Sequence, residues 1–162
     1  MPTPAQLHLV CGKIAAGKST LCARLAEARG TILLSEDLWL STLWPGEIVK
    51  LADYARCSTR LRAVMGDHIA ALLRAGVSVV LDFPANTLPP RSWMRSILDA
   101  SSAAHTLHWL DVSDEVCKAR LRDRNAAADH AYQASETEFD LFTRYFVPPG
   151  AEEGFDVIRY EA

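Results

Sequence analysis

Two glycines five residues apart, Gly12 and Gly17, run directly into Lys18 and Ser19 in the stretch GKIAAGKS. The chemistry that this spacing serves is the grip of a phosphate chain. Clustered negative oxygens need many donors at short range, and successive backbone N–H groups curled into a concave nest supply them. Glycine admits backbone conformations that a Cβ blocks, and the positive end of a following helix adds attraction. The stretch fits G-x-x-x-x-G-K-[ST], in which Lys18 reaches the outer phosphates and the Ser19 hydroxyl takes Mg²⁺. Lys13, Ala15, Ala16 and Thr20 complete the same nucleotide-binding segment, and the two alanines are small enough for the loop to close.

Carboxylates and guanidiniums elsewhere suit the same chemistry. Phosphoryl transfer to a hydroxyl needs a carboxylate that orients the nucleophile and accepts its proton. In LLSEDLW that role falls to Asp37, with Glu36 as second candidate; the other reading is that both acids cap the next helix. Asp82 ends the apolar run in VVLDFPAN, placed to bind Mg²⁺ or, alternatively, loop backbone. Asn86, four residues on, falls in a loop facing an acceptor. In CKARLRDRN, Arg120 and Arg124 are four apart and share a helical face, while Arg122 points elsewhere. Guanidiniums on such a face neutralise charge on a transferred phosphoryl group and close over it as a lid. Arg91 is a weaker candidate for a phosphate or acceptor contact.

Positioning these groups takes a particular framework. Apolar runs at 6–11, 31–35, 76–83, 105–112 and 155–160 read as strands. Between them lie helical patterns at 18–30, ending at Gly30 as a C′ glycine, and at 89–101, 113–125 and 135–146. A further helix carries Leu61, Val64, Met65, Ile69, Leu72 and Leu73 on one face and starts from Ser58 or Thr59. Ser113 caps the helix over 113–125, and Ser135 with Glu138 makes a capping box. Strands alternating with helices imply a parallel sheet covered on both faces, with ligands beyond the carboxyl ends of its strands. Gly12, Ser35, Asp37, Asp82 and Asp111 all fall there.

The 162 residues suit one domain over 1–162, and 49% hydrophobic residues suffice for a core. The expected address is the cytoplasm, because neither a basic leader with a long apolar segment nor a membrane-length apolar run is visible. A net charge of −3 argues against a broad basic face for nucleic acid and favours a small acceptor over a long polynucleotide, while leaving room for a local basic pocket. Cys11, Cys22, Cys57 and Cys117 are scattered and read as reduced small hydrophobes. No histidine spacing suggests a metal: His105 and His108 fall on opposite faces of a strand, and His68 on an apolar helical stripe.

Together, CGKIAAGKST, SEDLW, VVLDFPAN and CKARLRDRN resemble the small P-loop kinase group. Within it the chain is similar to AAA-type ATP-binding proteins allied to zeta toxins, chloramphenicol phosphotransferase and polynucleotide 5′-kinases. The resemblance implies a three-layer α/β/α fold with strand order 2-3-1-4-5. It also implies ATP with Mg²⁺ and transfer of the γ-phosphate to a hydroxyl of a small molecule, sugar or nucleotide. Asp37 matches the family's carboxylate after the second strand, Arg120 and Arg124 its lid arginines (lid region about 113–135), and VPPGAEEG its adenine-cradling loop. Acceptor residues do not carry over, because segment 38–60 varies widely; Tyr54, Arg56 and Arg60 stand there as acceptor, surface or packing residues. A regulatory nucleotide-binding module without catalysis and a toxin-like kinase of a cell-wall precursor remain the other readings, and the acceptor and oligomeric state are unassigned.

Overall fold

The apolar runs become strands β1 (Gln6–Gly12), β2 (Thr31–Ser35), β3 (Ser78–Asp82), β4 (Ala104–Asp111) and β5 (Val157–Glu161) in a computed structural model that describes residues 4–127 and 134–162. All pair in parallel, in the expected order β2-β3-β1-β4-β5. The helices are α1 (Lys18–Leu25), α2 (Glu36–Leu43), α3 (Leu51–Arg74), α4 (Leu88–Ser101), α5 (Asp114–Ala127) and α6 (Glu136–Arg144). The period of two along β1 sends Leu7, Leu9 and Cys11 into a core with Leu61, Met65 and Ile69 of α3 and Met94 and Ile97 of α4. Val10 enters the opposite core with Cys22 of α1, Cys117 and Leu121 of α5 and Phe139 of α6. Burial on both faces is why the central strands read as continuous apolar runs.

Several boundaries differ from the sequence expectation. The first helix stops at Leu25, capped by Ala26, and Gly30, at φ 74°, instead serves the turn into β2. The long helix begins at Leu51, not at Ser58 or Thr59. Its start is held by the Asp53 carboxylate, which accepts the N–H groups of Lys50 (2.9 Å) and Val49 (3.2 Å). The stripe of Tyr54, Cys57 and Leu61 extends the apolar face about two turns toward the N-terminus. The Ser135–Glu138 capping box forms as expected, and the Ser113 hydroxyl accepts the Val116 N–H at 3.3 Å. Residues 128–133 of the expected lid region lie outside the described residues.

All four cysteines are free and buried. His68 is exposed, His105 accepts the Asp156 N–H at 3.0 Å, and His108 joins His8 (3.0 Å) to Tyr160 (2.8 Å) across three strands. Among the described residues, no group of three His, Cys, Asp or Glu is placed to hold a metal, and no helix is long and apolar enough to cross a membrane.

Two polar staples set the geometry around the end of β1. Asn86 turns back toward the chain rather than out toward an acceptor. Its Oδ1 accepts the Gly12 N–H at 2.9 Å and its Nδ2 donates to the Gly12 carbonyl at 2.8 Å, so the side-chain amide imitates a neighbouring strand. Arg91 is likewise no phosphate contact: it is fully buried and donates to the Ala85 carbonyl (2.8 Å) and to both carboxylate oxygens of Glu153 (2.7 and 3.2 Å). Burial pushes the Glu153 carboxyl up, but Arg91 and the Gly150 N–H outweigh it and hold the group below its ordinary range. The loop VPPGAEEG is therefore tied to α4, where Arg95 also donates to the Gly154 carbonyl at 2.8 Å.

Asn86→Ala removes the partner of the Gly12 N–H and is expected to cost about 1–3 kcal/mol in urea unfolding; an unchanged midpoint would show that the clamp carries no stability. Glu153→Ala leaves a buried guanidinium unpaired and is expected to cost about 3–5 kcal/mol. Because the folded carboxyl titrates below the unfolded one, this contribution is present above the unfolded carboxyl's pKa and fades as pH falls through the lower folded value. A wild type that loses no more stability than Glu153→Ala across that acidic range contradicts this assignment.

Candidate active site

The loop after β1 closes because three of its residues take unusual backbone conformations. Gly17 (φ 101°) and Ala15 (φ 63°) lie in the left-handed region, the alanine at a steric cost of about 1–2 kcal/mol. At Gly12 the obstacle is space: a Cβ would stand 2.9 Å from the Leu110 carbonyl oxygen and 3.2 Å from the Ala16 Cβ. The Ala16 N–H donates to the Lys13 carbonyl at 3.1 Å, which completes the turn. Helix α1 then starts with no side-chain cap and no acid in its first turn, so its positive end is left to a ligand.

Lys18 folds into this loop, its Nζ donating to the carbonyls of Gly12 (2.6 Å) and Lys13 (2.7 Å). Burial lowers its pKa, with the Asp82 carboxylate acting in the opposite direction. The recess in front, about 410 Å³, is lined by Ala15, Gly17, Lys18, Ser19, Thr20, Arg120 and Arg124 among others. Arg120 leans on the loop through a 3.3 Å hydrogen bond to the Ala16 carbonyl. The Arg124 Nε is buried and has no hydrogen-bond partner among the described residues, an orphan donor on a residue that lines the recess. Lys13 points away: its ammonium pairs with Asp114 at 2.6 Å and donates to the Val112 carbonyl at 3.1 Å, so only its backbone belongs to the nest.

Strand register places the acids. Ser35, the last residue of β2, pairs with Asp82, the last of β3, so the first turn of α2 rises over Asp82. The Ser35 hydroxyl caps that helix by accepting the Leu38 N–H at 3.3 Å, leaving Glu36 and Asp37 for other work. They diverge. Glu36 is only 1% exposed and accepts hydrogen bonds from Tyr54 (2.5 Å) and Ser58 (3.0 Å), with the Arg62 guanidinium 3.9 Å away. Burial pushes the Glu36 carboxyl up against the pull of these partners. Asp37 is exposed on a separate recess of about 270 Å³ that it shares with Leu40, Ser41, Trp44, Gly46, Ile48 and Tyr54.

Asp82 is partly buried and 3.4 Å from the Ser19 hydroxyl. Burial raises its pKa and the nearby Asp37 charge adds to the rise, while Lys18 and Ser19 oppose it. A hydroxyl and a carboxylate beside a phosphate recess fit Mg²⁺, a hard ion that keeps several waters and needs only one or two protein oxygens. The loop VPPGAEEG, which the resemblance places at adenine, is anchored to Arg91 and Arg95 of α4. Arg56 pairs with Asp53 at 3.4 Å, and Arg60 is exposed on α3. The residues that sequence reasoning missed are the Glu36–Tyr54–Ser58 lock and the Asn86 clamp. Tyr54 and Ser58 stand one helical turn apart, a spacing that could have exposed the lock had the start of α3 been known.

The AAA domain family model AAA_33 matches residues 7–149. No curated protein sequence matches the chain. Among solved structures, a candidate kinase from Chloroflexus aurantiacus superposes with a TM-score of 0.75 at 19% identity, covering 98% of this chain and 89% of that one. A sugar kinase from a Janibacter species gives 0.65 at 17% identity, covering 98% and 86%. The Mycobacterium tuberculosis APS kinase in complex with AMPPNP and APS gives 0.59 at 18% identity, covering 99% and 90%. The chain belongs to the AAA_33 family of AAA domains and has the fold of the small P-loop kinases.

Proposed function

We propose that this protein is an ATP-dependent kinase that transfers the γ-phosphate to a hydroxyl of a small acceptor. The observation that carries the reading is a chain of groups between two recesses: Ser19 of the recess lined by Lys18, Arg120 and Arg124 reaches Asp82, and Asp82 feels the charge of Asp37, which lines the other. A regulatory module that only senses nucleotide needs no second recess with an open carboxylate. The kinase structures that share this fold support the same choice.

In this reading, the nest of residues 12–19 and the free end of α1 bind the phosphate chain, and Lys18 leaves its two carbonyl partners for the outer phosphates. Asp37 accepts the proton of the acceptor hydroxyl as its oxygen bonds to the γ-phosphorus. The bond to the β-phosphate bridging oxygen breaks, and ADP carries that electron pair away. Arg120 and Arg124 neutralise charge spreading over the transferred group. Mg²⁺, held by Ser19 and Asp82, would supply charge neutralisation between the phosphates when bound.

Lys18→Ala is expected to weaken ATP binding at least about 100-fold in calorimetry, through loss of a buried cation on the phosphates. Asp37→Asn is expected to bind ATP as the wild type does while its transfer of labelled phosphate falls about 10²–10⁴-fold. An asparagine variant with the wild-type transfer rate would remove Asp37 from the role of base.

A further inference from the structure

The recess beside Asp37 also carries information about the acceptor's charge, an argument that rests on reading it as the acceptor side. Asp37 is the single charged residue among those lining it. No Lys or Arg lines it: Lys50 and Arg60, both exposed, stand outside the lining, and two further cations are engaged elsewhere. Arg62 faces the buried Glu36 and lies over the Trp93 ring, 5.8 Å from its centroid, while Arg56 pairs with Asp53. Lys18, Arg120 and Arg124 belong to the phosphate recess. On the side toward β3 stands a second carboxylate, Asp82, close enough to feel the Asp37 charge.

The wall's hydrogen-bond donors point the same way. The Tyr54 hydroxyl donates to Glu36 and the Ser41 hydroxyl to the Leu38 carbonyl at 3.1 Å, so neither is free to receive an anion. What remains is the Trp44 indole N–H, a neutral donor, and one exposed carboxylate beside the aromatic rings of Trp44 and Tyr54 and the aliphatic groups of Leu40 and Ile48. Such a surface accepts hydrogen bonds from hydroxyl or ammonium groups and covers apolar faces, and aromatic rings attract cations. A carboxylate or phosphate bound there would meet Asp37 with no counter-charge in a partly desolvated site.

We propose that the acceptor is a neutral or amine-bearing hydroxyl compound with an apolar face, and that the recess rejects acidic and phosphorylated analogues. The cleft is thus divided by charge, with Lys18, Arg120 and Arg124 on the ATP side and Asp37 on the acceptor side.

Two measurements test this on the full chain. The first compares phosphate transfer from labelled ATP to matched acceptors that differ in charge: glucosamine, glucose and glucuronate; ethanolamine, ethylene glycol and glycolate; adenosine and AMP. The second needs no turnover. The Trp44 contribution to fluorescence, taken as wild type minus Trp44→Phe, is quenched with caesium and with iodide at low salt. With each quencher normalised to its quenching of free N-acetyltryptophanamide, expected results are a preference of at least about 20-fold in kcat/KM for the neutral or cationic member of a set, and caesium quenching about threefold or more above iodide, falling in Asp37→Asn. Label moving chiefly to the anionic members, or iodide quenching as strongly as caesium, overturns the proposal while leaving the kinase reading intact. ATP binding without label on any compound overturns the kinase reading and the acceptor class together.

Discussion

The structure depends on a point of contact too tight for a side chain. At Gly12 the backbone passes so close to Leu110 that a Cβ would stand 2.9 Å from its carbonyl oxygen. That closeness lets β1 leave the sheet, curl through Lys13 to Gly17 and re-enter as α1 with its N–H groups facing back toward the strand ends. The turn is not held by glycine alone. Asn86 grips both polar groups of Gly12 from the β3–α4 loop, and the Asn86 carbonyl in turn accepts the Val147 N–H at 2.8 Å. The phosphate nest is therefore joined to the chain beyond α6 by two steps of backbone-like bonding. Because such buried bonds are costly to leave unmade, the nest is shaped before any ligand arrives.

Charge is arranged around the nest by the same economy of position. Glu36 and Asp37 are adjacent, yet a helix turns about 100° per residue, and that rotation alone sends one acid into the core and the other into the cleft. The buried acid is stabilised by two hydroxyls and locks α2 to α3. The lock consumes the Tyr54 hydroxyl and leaves its ring as a wall of the recess. Lys13 shows the same division beside Lys18. One lysine braces α5 through Asp114, and the other fills the loop where a phosphate would enter.

How far the sequence could carry this follows from which interactions are local. The nest and the placement of Asp37 and Asp82 were legible because each rests on a short motif at the end of an apolar run, whereas the strand order came with the resemblance those motifs carry. Asn86 was visible as a residue, but its destination lay 74 positions away at Gly12. Arg91 was misread for the same reason: its carboxylate partner, Glu153, is 62 positions off, in a loop expected at adenine. Long-range polar pairing has no periodicity, so the 3.6 and 2.0 residue repeats that reveal helices and strands say nothing of it. The start of α3 was lost to a weaker signal. An exposed Leu51 and a cap supplied by Asp53, three residues inside the helix, concealed its first turn and with it Tyr54 as a neighbour of Glu36.

Strand order converts these local facts into a site. With β2 next to β3, and β3 next to β1, the residues that end each strand fall along one line: Ser35 opposite Asp82, and the β1 turn on the other side of Asp82. Asp37 lies two residues past Ser35, Asp82 completes β3, and Ser19 opens α1. The carboxylates of Asp37 and Asp82 and the curled turn of residues 12–19 thus come into sequence without any long loop to position them. Had β2 paired at the far edge beside β5, the same motifs would be separated by the width of the sheet, at about 4.8 Å per strand. The motif makes phosphate binding possible, and the parallel pairing of β2 with β3 is what sets an open carboxylate beside it.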